Sequence, residues 1–240
     1  MADEPYILVL QGSPRKKGNT VALVEEFERG AQEAGVSCRV IHASDLRLRA
    51  CVGCLRCNVL GKCALKNDSW SRIAREFTGA SGVLFATPMY FFHMTSHLKR
   101  VIDRFRSLIH VRVTPDGDGL VHEPRFPADK EYGLIMVMGG LAEYGCEGLR
   151  DLFAFLASNL SHMREREVDT LVAKGLPMEG QVRRKEEDLG KLYRRLGVEG
   201  KNPQKDYLQN QATLNKAYQM GRRMAERILE QPKPASADPA

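Results

Sequence analysis

No apolar run in this sequence approaches the roughly 18 residues of a membrane-spanning helix, and none repeats at a regular period that would signal a solenoid. Nor is there a basic stripe interleaved with aromatics, so nucleic-acid binding finds no footprint. The 36 basic against 30 acidic residues leave a charge of +6. Much of that excess lies in Gln181 to Lys205 and near Arg222 and Arg223, where Lys and Arg alternate with Glu as on a solvated helix face. Such a basic rim could also steer anionic phosphates or an acidic electron-transfer partner. Walker A and GxGxxG nucleotide fingerprints are both absent. The polar N-terminus carries no apolar leader, and the expectation is a cytoplasmic protein with no membrane and no nucleic-acid partner.

What is present is cysteine in an unusual concentration. Six occur in the 240 residues, and four fall within Cys51-Val-Gly-Cys54-Leu-Arg-Cys57-Asn-Val-Leu-Gly-Lys-Cys63. In a reducing compartment, cysteines point to metal or redox chemistry over a disulfide framework. Three thiolates at a pitch of three residues and a fourth after a Gly-containing loop can close around a cubane, each sulfur reaching one iron. A [4Fe-4S] cluster is therefore the first hypothesis. Zinc fits less well, because zinc ribbons set two CxxC knuckles about 15–20 residues apart; a metal-free set of thiols is the remaining alternative. Cys38, in a predicted strand, and Cys146, in a loop that approaches the site, read as packed thiols.

The periodicities describe one α/β domain over residues 1–230. Apolar runs predict parallel strands at Tyr6–Leu10, Cys38–His42, Gly82–Thr87, Tyr132–Met138 and Glu167–Val172. Amphipathic stretches predict helices at Thr20–Ala34, Asp68–Gly79, Ser96–Leu108, Gly148–Leu160 and Gln211–Leu229. The alternation gives a doubly wound sheet. Ile109 to Lys130 reads as a hairpin-like insertion, 175–230 as a charged helical extension, and 231–240 as a disordered tail.

Directly after the first strand comes Gly12-Ser-Pro-Arg-Lys-Lys-Gly-Asn-Thr20. A strand-to-helix loop presents unpaired N–H groups and the positive end of a helix dipole, which suits a terminal phosphate. Ser13, Asn19 and Thr20 add donors, Arg15 adds charge, and Gly18 allows close backbone approach; a polar turn of no special purpose is the alternative. Further on, Pro88 ends the third strand, and Tyr90, Phe91 and Phe92 offer an apolar wall for a flat ring. His93 and His97 flank a helix start as surface or capping residues.

The phosphate loop, the cysteine motif and Thr87-Pro-Met-Tyr-Phe91, in this order, resemble the iron–sulfur flavoproteins of the NADPH-dependent FMN reductase superfamily over residues 5–172. The resemblance implies a flavodoxin-like five-stranded parallel sheet of order 2-1-3-4-5, with FMN at the carboxyl ends of its strands. It implies that Ser13, Arg15, Gly18, Asn19 and Thr20 hold the FMN phosphate. Pro88, Met89, Tyr90 and Phe91 line the isoalloxazine, largely through backbone N–H groups, and Gly139 and Gly140 close over its pyrimidine side. Cys51, Cys54, Cys57 and Cys63 ligate a [4Fe-4S] cluster beside the flavin, and members are typically dimers or dimers of dimers. The implied function is an FMN-dependent oxidoreductase joining two-electron and one-electron partners, with NAD(P)H as a transient donor or a redox protein such as ferredoxin. A cluster-free NAD(P)H-dependent FMN or quinone reductase, and a non-enzymatic flavodoxin-like carrier, are the alternatives. Segments 109–130 and 181–205 are longer than in compact relatives and are expected to cover the flavin or build a subunit interface.

Overall fold

A computed structural model describes residues 4–126, 129–141, 145–198 and 200–231. The apolar runs become the parallel strands β1 (Tyr6–Gln11), β2 (Ser37–His42), β3 (Gly82–Pro88), β6 (Glu131–Val137) and β7 (Val168–Ala173). They form one sheet of order β2-β1-β3-β6-β7, which in core-strand order is 2-1-3-4-5. The fold is flavodoxin-like. β1 is buried along its whole length because neighbours lie on both sides and helices on both faces.

Side-chain alternation divides the core. Leu8 and Leu10 face α3 (Trp70–Gly79), α4 (Ser96–Arg104) and α5 (Glu147–Asn159), whereas Ile7 and Val9 face α1 (Asn19–Glu33) and α7 (Pro203–Glu230). Three helices on one face leave α1 alone on the other, and α7 fills the vacant half with Ala217, Met220, Met224 and Ile228. The C-terminal extension is thus part of the sheet's cover. Pro203 at its first position and Asn202, whose side chain accepts from Lys205 N–H, start α7 eight residues before the sequence-based expectation. The shorter α6 (Glu186–Leu196) precedes it.

The segment after α4 forms an antiparallel hairpin of β4 (Ile109–Val113) and β5 (Leu120–Pro124) beside the main sheet. The tail expected over 231–240 lies, from Pro232 on, outside the described residues; Gln231 itself donates to Glu131. Among the described residues no helix is long and apolar enough to cross a membrane.

The packing of α1 on α7 rests on two glycines. A Cβ on Gly30 would fall 2.0 Å from Tyr218 O, and one on Gly221 would fall 2.0 Å from Phe27 O. Backbone meets backbone at this crossing, so no side chain can rotate away to make room. Gly221→Ala is expected to destabilise the fold by at least about 1–3 kcal/mol, the usual cost of overpacking, read as a lower urea midpoint at unchanged slope.

Candidate functional site

The loop after β1 is shaped by its own side chains. Gly12 N–H donates to Ala86 O at 2.7 Å, tying the loop to β3, and Arg15 N–H donates to Ser13 Oγ at 3.1 Å. Gly18 is tightly surrounded, since a Cβ there would meet Arg15 and Ser13 atoms at 3.2–3.3 Å. As the N-cap of α1 it supplies no capping side chain. The N–H groups of the first turn therefore have no partner within the helix and carry the positive end of its dipole. Ser13, Gly18, Asn19 and Thr20 are buried around them while Arg15 stays exposed. Gln11, just before the loop, is fully buried with both amide atoms unpaired among the described residues.

Asn19 acts differently from the other loop residues. Its Nδ2 donates to Leu176 O at 3.1 Å and Met178 O at 2.7 Å, and its Oδ1 accepts from Val182 N–H at 3.0 Å. The side chain thus clasps the segment that follows β7. Gln181 reinforces the clasp by donating to Gly175 O, and Asn210 of α7 donates to Gln181 O. What Asn19 leaves available to a phosphate is its backbone N–H.

Beyond Pro88 the chain makes a tight turn. Tyr90 and His93 exchange backbone hydrogen bonds of 2.9 and 3.1 Å, and the two central residues, Phe91 and Phe92, have φ of 50° and 62°. Two-residue turns of this hand favour Asn and Gly, so aromatic side chains here hold strain of the kind found at binding sites. The amides of Met89 and Tyr90 already donate to Val137 O and His93 O, whereas the Phe91 N–H has no hydrogen-bond partner among the described residues. Thr95 locks this turn to the first loop: its hydroxyl donates to Gly12 O at 2.8 Å and caps α4, while its N–H donates to Thr87 Oγ1. Cys146 lies beneath, its sulfur 3.5 Å from that of Met89 and 3.6 Å from that of Met138.

One cleft of about 200 Å³ results, lined by Ser13, Arg15, Gly18, Asn19, Thr20, Pro88, Met89, Tyr90 and Gly139. Val137, Leu176 and Pro177 also line it and were not anticipated, since the clasp that brings in 176–178 is a long-range contact. Gly140 and Phe91 are not in the lining, and Phe91 is 97% exposed.

The four motif cysteines meet elsewhere. Cys51 and Cys54 precede the short helix α2 (Arg56–Leu60), Cys57 lies in it and Cys63 follows it. All four line one cavity with Arg104, Arg106 and Ser107. Cys57 is buried, Cys63 half-buried, and Cys51 and Cys54 exposed. Among the described residues no three His, Cys, Asp or Glu side chains stand together as the ligand set of a single metal ion. The loop is docked on the hairpin by Asn58, whose side chain donates to Val111 O and accepts from Val111 N–H, both at 2.9 Å. Arg125 adds a bond to Asn58 O. The insertion, expected to cover the flavin or build a subunit interface, braces the cysteine loop. At Cys38, one of the two thiols outside the motif, burial, aided by the Glu28 charge, pushes the pKa up to about 12.

Cleft and cavity share no lining residue. α4 runs from Thr95, bonded to the first loop, to Arg104 in the cavity wall, nine steps that rise about 14 Å along its axis.

A sequence profile of the family described as NADPH-dependent FMN reductase matches residues 5–168. The chain belongs to this family. Among its relatives, an iron–sulfur flavoprotein of Methanocaldococcus jannaschii is 34% identical over 102 residues, covering 42% of this chain and 52% of the relative. One from Archaeoglobus fulgidus is 32% identical over 100 residues, covering 42% and 48%. The chain thus spans about half the length of the curated relatives it matches. Among solved structures, the NAD(P)H:quinone oxidoreductase of Methanothermobacter marburgensis aligns over 92% of this chain and 96% of its own, with a TM-score of 0.59 and 16% identity. An FMN-dependent NADH-azoreductase from Bacillus anthracis, solved with FMN, aligns over 92% and 99% with a TM-score of 0.60 and 12% identity. At those identities the likeness speaks for the fold alone.

The cysteine cavity is anchored by a buried ion pair. Arg104, 1% exposed, donates to Asp68 Oδ2 at 2.7 Å and to Arg49 O at 2.9 Å and lies over the Trp70 ring. Burial alone would push the Asp68 carboxyl up, but Arg104 and the N–H groups of Trp70 and Arg49 outweigh it and hold the pKa below the ordinary range. Its contribution to stability is therefore complete above the unfolded value of about 3.9 and is lost as pH falls through the lowered folded value. Asp68→Ala leaves Arg104 buried without a carboxylate and is expected to cost about 3–5 kcal/mol near neutral pH. Urea unfolding should also show a flatter acid limb in that variant than in the wild type.

Proposed function

We propose that the protein is an FMN-dependent oxidoreductase that also carries a [4Fe-4S] cluster. The observation that carries this reading is that two separate cavities collect two separate motifs: the phosphate loop with the Pro88 turn in one, the four cysteines in the other. A bound FMN exchanges two electrons as hydride or one at a time, and a cubane exchanges one, so the pair joins two-electron to one-electron partners. Within the chain, the first turn of α1 and Ser13 bind the phosphate, and Arg15 offsets its charge from the rim. Pro88, Met89 and Tyr90 position the ring, and Gly139 and Pro177 close the opposite wall. No dinucleotide fingerprint accompanies the cleft, so NAD(P)H stacks transiently at its open mouth, beside Tyr90, which is 45% exposed. A protein donor such as ferredoxin is the alternative, reaching the exposed Cys51 and Cys54.

The absence of a compact metal-ion ligand set among the described residues favours a second reading, a cluster-free flavin reductase with free thiols. Protein made anaerobically is expected to hold one FMN and about four irons per chain, and Cys54→Ala to lose the iron and keep the flavin. Iron-free wild type with stoichiometric FMN would leave the second reading standing. Ser13→Ala removes a hydrogen bond to a charged oxygen, about 1.5–3 kcal/mol, and should weaken FMN binding roughly 10- to 150-fold by fluorescence titration. Unchanged affinity would remove the phosphate assignment.

The reading extends to a homodimer or homotetramer. α7 already has its place on the sheet, so this rests on exposed apolar side chains around the turn, the loop and the hairpin: Phe91, Val52, Val59, Val113 and Leu120. Light scattering across a concentration series should give a multiple of 26.9 kDa; a monomer throughout would defeat it.

A further inference from the structure

Two arginines at and just past the carboxyl end of α4 line the cysteine cavity, and the contacts that hold them leave one N–H and one positive charge unmatched among the described residues. Arg104 is 1% exposed, its Nη atoms are held by Asp68 and Arg49, yet its Nε is buried with no hydrogen-bond partner among the described residues. A buried N–H left open costs about 1–3 kcal/mol, so its retention on the wall of this cavity points to an acceptor inside it. Arg106 approaches from the same wall. Its Nη1 lies 4.0 Å from Cys57 Sγ and donates to Ile109 O at 3.0 Å, and its Nη2 donates to Asn58 Oδ1 at 3.3 Å. Those partners fix the fork without neutralising it, because among the described residues no carboxylate pairs with Arg106. Charge separates the two residues: Arg104 is balanced by Asp68, and Arg106 brings a net positive charge to a wall otherwise made of thiols, Ser107 and apolar residues.

We propose that Arg104 and Arg106 donate N–H groups to sulfur in this cavity and that their positive field, chiefly that of Arg106, raises the reduction potential of the group the four cysteines hold. The inference rests on the cluster reading of the preceding subsection. Four thiolates around a [4Fe-4S] core carry net negative charge, and reduction adds one more. A fixed cation and N–H donors beside the sulfurs favour the reduced, more negative state, the means by which hydrogen bonding and net charge set iron–sulfur potentials. Both arginines act through the ligands, as positioning and tuning residues, and touch no substrate.

The test is an EPR-monitored redox titration of anaerobically prepared protein, with iron, sulfide and FMN counted first in every sample. Arg106→Gln is expected to keep its iron and titrate at a lower potential than the wild type. Arg106→Lys, which keeps the charge and loses the planar fork, should fall between them. Arg104→Lys keeps a cation for Asp68 but removes the Nε–H, and should also titrate lower. Arg29→Gln serves as the control, a cation on α1 paired with Glu26 that lines neither cavity, and should match the wild type. An Arg106→Gln protein with full iron and an unchanged potential overturns the inference and leaves the cluster reading intact. If Arg106→Gln does not fold, Arg106→Met takes its place, and an unchanged potential with full iron overturns the inference equally. Wild type without iron overturns the cluster reading itself, and this one with it.

Discussion

Five strands running the same way must all release their chains at one edge of the sheet, and the ligand cleft of this molecule follows from that constraint. The loop after β1, the turn after β3, the glycines after β6 and the segment after β7 come from points far apart in sequence. They converge because parallel pairing leaves their backbone groups nowhere else to go. The register is also what places Gly12 against Ala86 and lets a single threonine, Thr95, join two of these loops. Ligand-binding geometry is here a by-product of strand direction, refined by a few side chains.

α4 carries that order away from the edge. Its first turn is fixed to the flavin-side loops through Thr95, and its last residue is fixed to the cysteine side through the Arg104–Asp68 pair. A helix held at both ends transmits position as a rigid strut, so the cysteine cavity stands at a defined distance from the cleft although no residue is common to both. The hairpin after α4 completes the arrangement, since Asn58 pairs with Val111 much as a neighbouring strand residue would. An insertion that looks surplus in sequence is thereby the support on which the cysteine loop rests.

The sheet was legible in sequence because each core strand is a short apolar run between turn residues, and the strand order followed once the motifs were recognised. The phosphate loop and the Pro88 turn were legible for the same reason: each is a local pattern whose chemistry is written in consecutive residues. What escaped detection depends on partners distant in sequence. Asn19 reads as a phosphate ligand until Leu176, Met178 and Val182 are seen against it. α7 reads as an appendage until the uncovered half-sheet beside α1 is apparent. Arg104 did leave a trace, for it lies three residues after Val101 on the buried stripe of α4, where an arginine demands a buried partner. The strain at Phe91 and Phe92 left none, because aromatic residues carry no preference for the left-handed region that would announce it.

The choice of clasping residue also follows from the chemistry of the site. The irregular segments around the cleft and the cysteine loop carry backbone groups that no strand or helix satisfies, and each must find a partner. Around the cleft the side chains that satisfy them are uncharged, Asn19, Thr95, Gln181 and Asn210, while around the cysteine loop Asn58 is joined by Arg49, Arg100, Arg104 and Arg125. An amide can donate and accept at once, so one Asn19 holds two carbonyls and an N–H. A carboxylate in its place would repel a phosphate at the first turn of α1, and an ammonium could not accept from Val182. Around the cleft, neutral clasps hold the loops and leave the field to the helix dipole and Arg15, whereas around the cysteine cavity Arg104 and Arg106 both hold backbone carbonyls and supply positive charge. Two cavities, one walled by the first turn of α1 and one by four cysteines, are thus held on a single small sheet by different means, the first by neutral amides and hydroxyls and the second by arginines.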